Sequence, residues 1–209
     1  MGSMEPLATC VAGGKAERII AAARDLFLEQ GYDAISMDEV AKRAGVAKQT
    51  VYSHNVCKDT LFLAVVEGER RRLHFDLPAD SGALPIRDAL RRIGLHLLEV
   101  MLNPSLLSLF RIAFAAAHRF PKLGHSIYES GAKKTQADLA GLIEHAAAAG
   151  SLVVQDSTVA AQQLVALIKG ELHFHCMIDP EFRPSNDQVR QQVDAAIDCF
   201  MARYGTPAS

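Results

Sequence analysis

The stretch from Ser36 to Tyr52, SMDEVAKRAGVAKQTVY, allows few folds. Ser36 is followed three residues later by Glu39, the spacing of a capping box. The Ser36 hydroxyl accepts from the Glu39 backbone N–H while the Glu39 carboxylate reaches back to Ser36. Val40, Ala41 and Ala44 then give a short apolar stripe, and Gly45 ends it because a C-terminal glycine tolerates positive φ. Val46 is placed to bury the turn, and a second short helix fits from Ala47 to about Ser53. Helix, tight glycine turn and helix, with alanines where the two must approach closely, is a helix-turn-helix pattern.

Helical periodicity governs the rest of the chain. Ile19, Ile20, Ala23, Leu26 and Phe27 form one stripe of a helix expected from about 15 to 30, with its stop at Gly31. Leu61, Phe62, Val65 and Val66 start another after Lys58. The run 76–85, DLPADSGALP, is rich in turn residues and marks the best domain boundary. Beyond it the spacing predicts helices over 86–101, 105–119, 122–149, 157–178 and 184–204. The only β signal, SLVV at 151–154, is too short to build a sheet. The fold class is therefore all-α, with an N-terminal three-helix helix-turn-helix domain over 15–62, a linking helix to about 76, and a larger helical domain over 77–209. Residues 1–14 are read as a tag remnant and disordered N-terminus, Met1-Gly2-Ser3 being a cloning scar ahead of Met4.

At 209 residues and 49% hydrophobic content the chain can bury a real core. No apolar run approaches the roughly 18–20 residues of a membrane span, and no signal peptide is legible, so a cytoplasmic protein without a membrane partner is expected. Cys10, Cys57, Cys176 and Cys199 form no CxxC pair and read as reduced thiols. The formal net charge of −2 argues against a generally basic nucleic-acid coat. Its distribution is uneven, because no acid falls between Glu39 and Asp59 while Lys42, Arg43, Lys48 and Lys58 do. Such a local basic face suits a module that grips phosphate with one end.

The order RIIAAARDLFLEQGYDAISMDEVAKRAGVAKQTVYSH…KDTLF resembles the N-terminal domain of the TetR family of bacterial transcriptional regulators. RIAFAAAHRFPKLGHSIYESG with AAQQLVALIKGEL resembles the C-terminal domain of its AefR-like subgroup. The resemblance implies a recognition helix whose first turns meet the major groove of a double-stranded DNA operator. Lys48 and Gln49 carry the side chains that pair guanine O6 and N7 or adenine N6 and N7. Thr50 and Tyr52 offer hydroxyls to phosphate, His54 sits at the helix exit, Lys58 resembles the family's backbone-touching lysine, and Ser36 combines its cap with a phosphate contact. Lys42 and Arg43 are read as solvated. The family usually carries Phe where Asn55 stands and Ser or Asn where Cys57 stands. The first change forfeits ~1.5–3 kcal/mol of burial unless Val56 substitutes, and the second weakens a cap by ~1 kcal/mol.

The resemblance further implies a ligand-binding body and a homodimer formed through the last two helices. A pocket is expected from Phe110, Phe114, His118 and Tyr128, together with Leu139, Ile143, Leu167, His173 and Phe174. That lining is mostly apolar and carries no acid, which points to an apolar or weakly polar small-molecule effector. Val189, Val193, Ala196, Ile197 and Phe200 form the stripe expected at the dimer interface, shared with intrachain core. ELHFHCMI at 171–178 invites a metal reading, but residues i and i+2 lie about 200° apart on a helix, so no metal site is expected. Nor is any cofactor, since no nucleophile motif, phosphate loop or HExxH is present. The expected function is a ligand-responsive repressor that binds a pseudo-palindromic operator as a dimer, not an enzyme. The alternatives are a small helical metal-binding protein or enzyme using the histidines, and an interaction protein with a decayed DNA head.

Overall fold

The structure, a computed structural model, describes residues 14–52, 57–73 and 84–206. The expectations for Cys10, His54, Asn55, Val56 and residues 76–83 therefore lie outside the described residues. The described chain is helical, in two compact units. The first contains α1 (Gly14–Gln30), α2 (Met37–Ala44), α3 (Lys48–Tyr52), α4 (Lys58–Arg72), α6 (Pro104–Ala117) and α7 (Pro121–Ile127). The second contains α5 (Ile86–Met101), a π-helical turn (Tyr128–Lys133), α8 (Lys134–Ala148), α9 (Ser157–Ile178) and α10 (Asn186–Tyr204). The sequence pattern placed everything beyond 77 in one body, whereas residues 104–127 fall in the unit of the helix-turn-helix.

The first unit closes around aromatic rings. Phe27 of α1 meets Phe62 of α4 edge-on at 4.8 Å, Tyr32 meets Phe62 at 5.6 Å, and Phe120 packs on Tyr32 at 4.9 Å. Leu26, Val40, Ala41, Val51 and Leu61 complete this core, all buried. Such ring pairs add about 0.5–1.5 kcal/mol beyond their burial. Two polar ties reinforce it. Arg119 reaches Asp33 at 2.6 Å, and Arg24 lies with Nε 2.7 Å from Glu69 Oε1 while an outer nitrogen donates to Ser105 Oγ at 3.3 Å. The Arg24–Glu69 contact is an ion pair by distance, although the Nε–H does not aim at the oxygen.

In the second unit α5, α8, α9 and α10 share one apolar core, with Leu90, Leu98, Leu139, Ile143, Leu164, Ile168, Val193 and Phe200 inside. Arg91 grips Asp194 with two nitrogens, at 2.5 and 3.1 Å, and joins α5 to α10. That fork holds the Asp194 carboxyl below the usual carboxylate range. SLVV forms no sheet, but Val153 N–H donates to Tyr204 O at 2.7 Å and an isolated bridge pairs Leu152 with Gly205.

Two helices depart from the periodicity. The helix expected over 122–149 is cut by the π-helical turn, where the Thr135 hydroxyl donates to the Gly131 carbonyl at 3.1 Å. The helix over 157–178 has the expected bounds but bends at Gly170, whose φ of 44° and ψ of −151° are not helical. The bend withdraws the Leu167 carbonyl from regular helical bonding, and the Gln192 amide of α10 donates to it at 2.8 Å. Gln192 approaches so closely that a Cβ on Gly170 would stand 2.6 Å from its Cδ.

Candidate nucleic-acid interface

Ser36 caps α2 as the spacing predicts, its Oγ accepting from Glu39 N–H at 3.2 Å. The reciprocal half of the expected box is replaced, because the Glu39 carboxylate instead accepts from Gln30 Nε2 at 2.9 Å. Gly45 ends α2 in the left-handed region at φ 63°, and its N–H bonds back to the helix. That tight turn delivers α3, in which Val51 alone is buried. With one residue anchored, Lys48, Gln49 and Tyr52 are exposed and Thr50 is half-buried. The expected reading face is therefore presented outward, with Tyr52 51% exposed.

The charges are arranged differently from the linear sequence. The interval between Glu39 and Asp59 lacks acids, yet acids from outside it fold back onto its bases. Lys48 pairs with Asp38. Arg43, expected to be solvated, is gripped by both Glu29 oxygens at 3.1 and 3.0 Å. Lys58 turns its ammonium onto the carbonyls of Asp33 and Ile35, at 3.0 and 2.8 Å, and stands over the Tyr32 ring. Burial lowers the Lys58 pKa, against the opposing pull of Asp33 and Asp59. Tyr32 in turn bonds Asp59, and burial followed by that carboxylate pushes its phenol far above the ordinary range. Lys58 therefore ties the start of α4 to the turn ahead of Ser36, a positioning role that sequence reasoning missed because its partners are backbone carbonyls.

Cys57 occupies the cap position of α4 in extended geometry, and its thiol makes no cap hydrogen bond to the backbone. The neighbouring Thr60 hydroxyl donates to the Cys57 carbonyl at 2.8 Å and lies 3.6 Å from its sulfur. The weak cap expected from the sequence is thus real, and Thr60 shapes the turn in its place.

The residues expected to line a pocket are divided between the units. In the first, Phe110 and Phe114 stack at 6.5 Å, with Phe110 half-buried and Phe114 and His118 exposed. In the second, Tyr128 and Phe174 are exposed, Leu139 and Ile143 are fully buried in the helix core, and Leu167 is half-buried. His173 is half-buried, with Nε2 shut off from solvent. The two histidines of HFH part as helix geometry requires. His175 stacks on Phe182 at 3.7 Å beside Asp179, and among the described residues no group of three His, Cys, Asp or Glu could hold a metal. Val189, Val193, Ala196, Ile197 and Phe200, expected at a dimer interface, are all buried within the second unit's own core. Their apolar surface is spent inside the chain.

A three-helix head whose third helix is anchored by one residue and otherwise faces outward defines a helix-turn-helix DNA-binding regulator. Residues 19–65 match the family described as bacterial regulatory proteins, tetR family, and residues 88–206 match the AefR-like transcriptional repressor C-terminal domain. The chain belongs to the TetR family of transcriptional regulators, and it is not an enzyme. An HTH-type transcriptional regulator of Mycobacterium bovis is 30% identical over 86% of this chain and 84% of its own. Among solved structures, a TetR-family regulator from Mesorhizobium loti superimposes with a TM-score of 0.81 at 30% identity, covering 92% of this chain and 97% of that one. The flavonoid-responsive regulator FrrA does so at 0.79 and 34% identity, covering 94% and 100%. No single described helix is long and apolar enough to cross a membrane.

Proposed function

We propose that this chain is a ligand-responsive repressor that binds a pseudo-palindromic operator as a homodimer. The observation that carries the reading is the presentation of α3, where a single buried residue, Val51, leaves Lys48, Gln49 and Tyr52 outward. Gln49 is assigned to base edges, with Lys48 once released from Asp38. Thr50, Tyr52 and the Ser36 cap take phosphate oxygens. His54 stays assigned to the DNA backbone, as the family resemblance implies, and Lys58 holds the turn that orients α2 and α3. The similarity to an AefR-like repressor domain supports repression. The similarity to a flavonoid-responsive regulator supports a small, weakly polar aromatic effector, with His173 as the polar member of a lining that includes Leu167. An effector would bias the spacing of two reading heads, a coupling typically worth about 1–3 kcal/mol.

The second copy is assigned to the exposed sides of the last two helices. Phe174 and Ile178 stand 59% and 65% exposed on α9. On α10 the small residues Ala195, Cys199 and Ala202 run along the exposed side, opposite the buried stripe. Small residues let helices approach closely, and the two apolar side chains on α9 then lose water.

Selection of bound fragments from random DNA tests the reading. A palindromic consensus is expected, with binding that falls steeply as salt rises. Tyr52→Phe should weaken all operators alike, while Gln49→Ala should change which operator is preferred. Equal loss at every operator for both variants would remove Gln49 from base reading, and recovery of no consensus would overturn the function.

A further inference from the structure

Two basic side chains in the second unit have no hydrogen-bond or ion-pair partner among the described residues. Lys169 and His173 lie on α9 on either side of the bend at Gly170. His173 Nε2 is shut off from solvent and has no hydrogen-bond partner among the described residues. Leaving such an atom unsatisfied costs about 1–3 kcal/mol. Lys169 stands four positions before His173 on the same helix, its charge joins burial in lowering the imidazole pKa, and among the described residues neither has an ion-pair partner. His175, two residues on, has the Phe182 ring and Asp179 beside it. The bare pair is therefore a property of this spot and not of the helix end in general.

The bend between the two bases is built in. It rests on a glycine that alone fits the backbone and on a Gln192 amide that satisfies the freed Leu167 carbonyl. Burial lowers the pKa of both groups, that of His173 to about 4, so its imidazole is neutral near pH 7 and offers a lone pair. A carboxylate could pair with the Lys169 ammonium but has no proton to give to Nε2, and would leave that nitrogen unsatisfied. A phenol arrives neutral, since its ordinary pKa is near ~10, and carries one good O–H donor.

We propose that Lys169 and His173 form the polar end of the effector site and take the hydroxyl of a phenol. The ligand O–H donates to His173 Nε2, and the same oxygen accepts from the Lys169 ammonium. The aromatic body of the ligand stays uncharged, and no proton need be transferred. This rests on the effector-responsive reading above and adds to it two anchor atoms and a ligand chemistry. Lys169 was not among the residues singled out in the sequence, although its place four residues before His173 was visible there.

The test uses the full chain with the flavone apigenin, which has three phenolic hydroxyls, and its tri-O-methyl ether, which has none. Calorimetry should show apigenin binding the wild type at least tenfold more tightly than the ether. Lys169→Met and His173→Phe should each weaken apigenin at least tenfold and leave the ether within twofold. His173→Gln, which keeps an acceptor oxygen, should recover part of the loss. Thermal unfolding without ligand should stay at or above wild type in His173→Phe, because an unsatisfied buried nitrogen is removed, and this shows the variant is folded. Equal binding of apigenin and its ether would overturn the proposal. Unchanged apigenin binding in both variants would overturn the site while leaving effector response intact. Absence of apigenin binding in a wild type that still binds its operator would overturn the phenol chemistry, and only loss of the operator itself would remove the functional reading.

Discussion

If Lys48 reads DNA as proposed, Asp38 and DNA compete for the same cation. In the free protein Lys48 is paired with Asp38, so an operator must displace a carboxylate before this side chain can reach a base or a phosphate. Both partners are exposed, and an exposed pair contributes little to stability. Asp38→Asn should therefore tighten operator binding several-fold and steepen its salt dependence by up to about 1 in logarithmic slope, because an unpaired cation in the groove displaces a counterion from the DNA. It should cost the protein only the first-turn charge of α2, about 0.3–1 kcal/mol. Fluorescence anisotropy across a salt series checks this, and an unchanged slope would take Lys48 off the DNA. This competition could not be read from the sequence. The outward placement of Lys48, Gln49 and Tyr52 was legible because α3 is short and local, but charge partners depend on which turns fold back. Glu29 and Asp38 both lie before the acid-free interval, yet they meet Arg43 and Lys48 inside it.

Element bounds were legible almost to the residue, since apolar stripes and caps are encoded locally, as Ser36 and Gly45 show. Interruptions were not legible. A π-helical turn preserves the apolar spacing on both sides, so YESGAK at 128–133 looked like continuous helix. Gly170 looked like an ordinary helical glycine until Gln192, 22 positions on, supplied the missing hydrogen bond (192 − 170 = 22). The bend sets a mutational test. Gly170→Ala must strain a backbone at φ 44° and also displace Gln192, which should cost about 1–3 kcal/mol or more. Gln192→Ala leaves the Leu167 carbonyl unsatisfied and should cost about 1–3 kcal/mol. Because the two side chains compete for the same space, the double variant should be less damaged than the sum. Urea unfolding at one fixed protein concentration measures all three, and strict additivity would show that Gln192 does not hold the bend.

For the whole molecule, the helical class and the helix-turn-helix head were legible from one stretch, while the division into units was not. The segment 104–127 reads as any amphipathic pair, and only packing of Phe120 on Tyr32 and Arg119 on Asp33 assigns it to the first unit. The stripe of Val189, Val193, Ala196, Ile197 and Phe200 was correctly apolar, but one chain cannot reveal whether such a stripe faces its own core or a partner. On the dimer proposed above, its burial at 8% exposure or less leaves the other side of α10 for a partner. That side carries Ala195, Cys199 and Ala202, and α9 adds Phe174 and Ile178. Two copies pairing there would bury the exposed apolar surface of both helices and fix the separation of two α3 helices, which must match half-sites about one helical turn apart. Replacing Phe174 and Ile178 together by Glu places four like charges in that interface (two per copy), and desolvating them is costly. Neither residue belongs to its own chain's core, so the folded protomer should survive with its helicity intact. Light scattering is expected to show a dimer for the wild type and a monomer for the double variant. Operator affinity should fall at least a hundredfold, while binding to an isolated half-site changes less than threefold. A double variant that remains dimeric would move the interface elsewhere. A monomer that still binds the full operator like wild type would instead separate dimerisation from DNA reading.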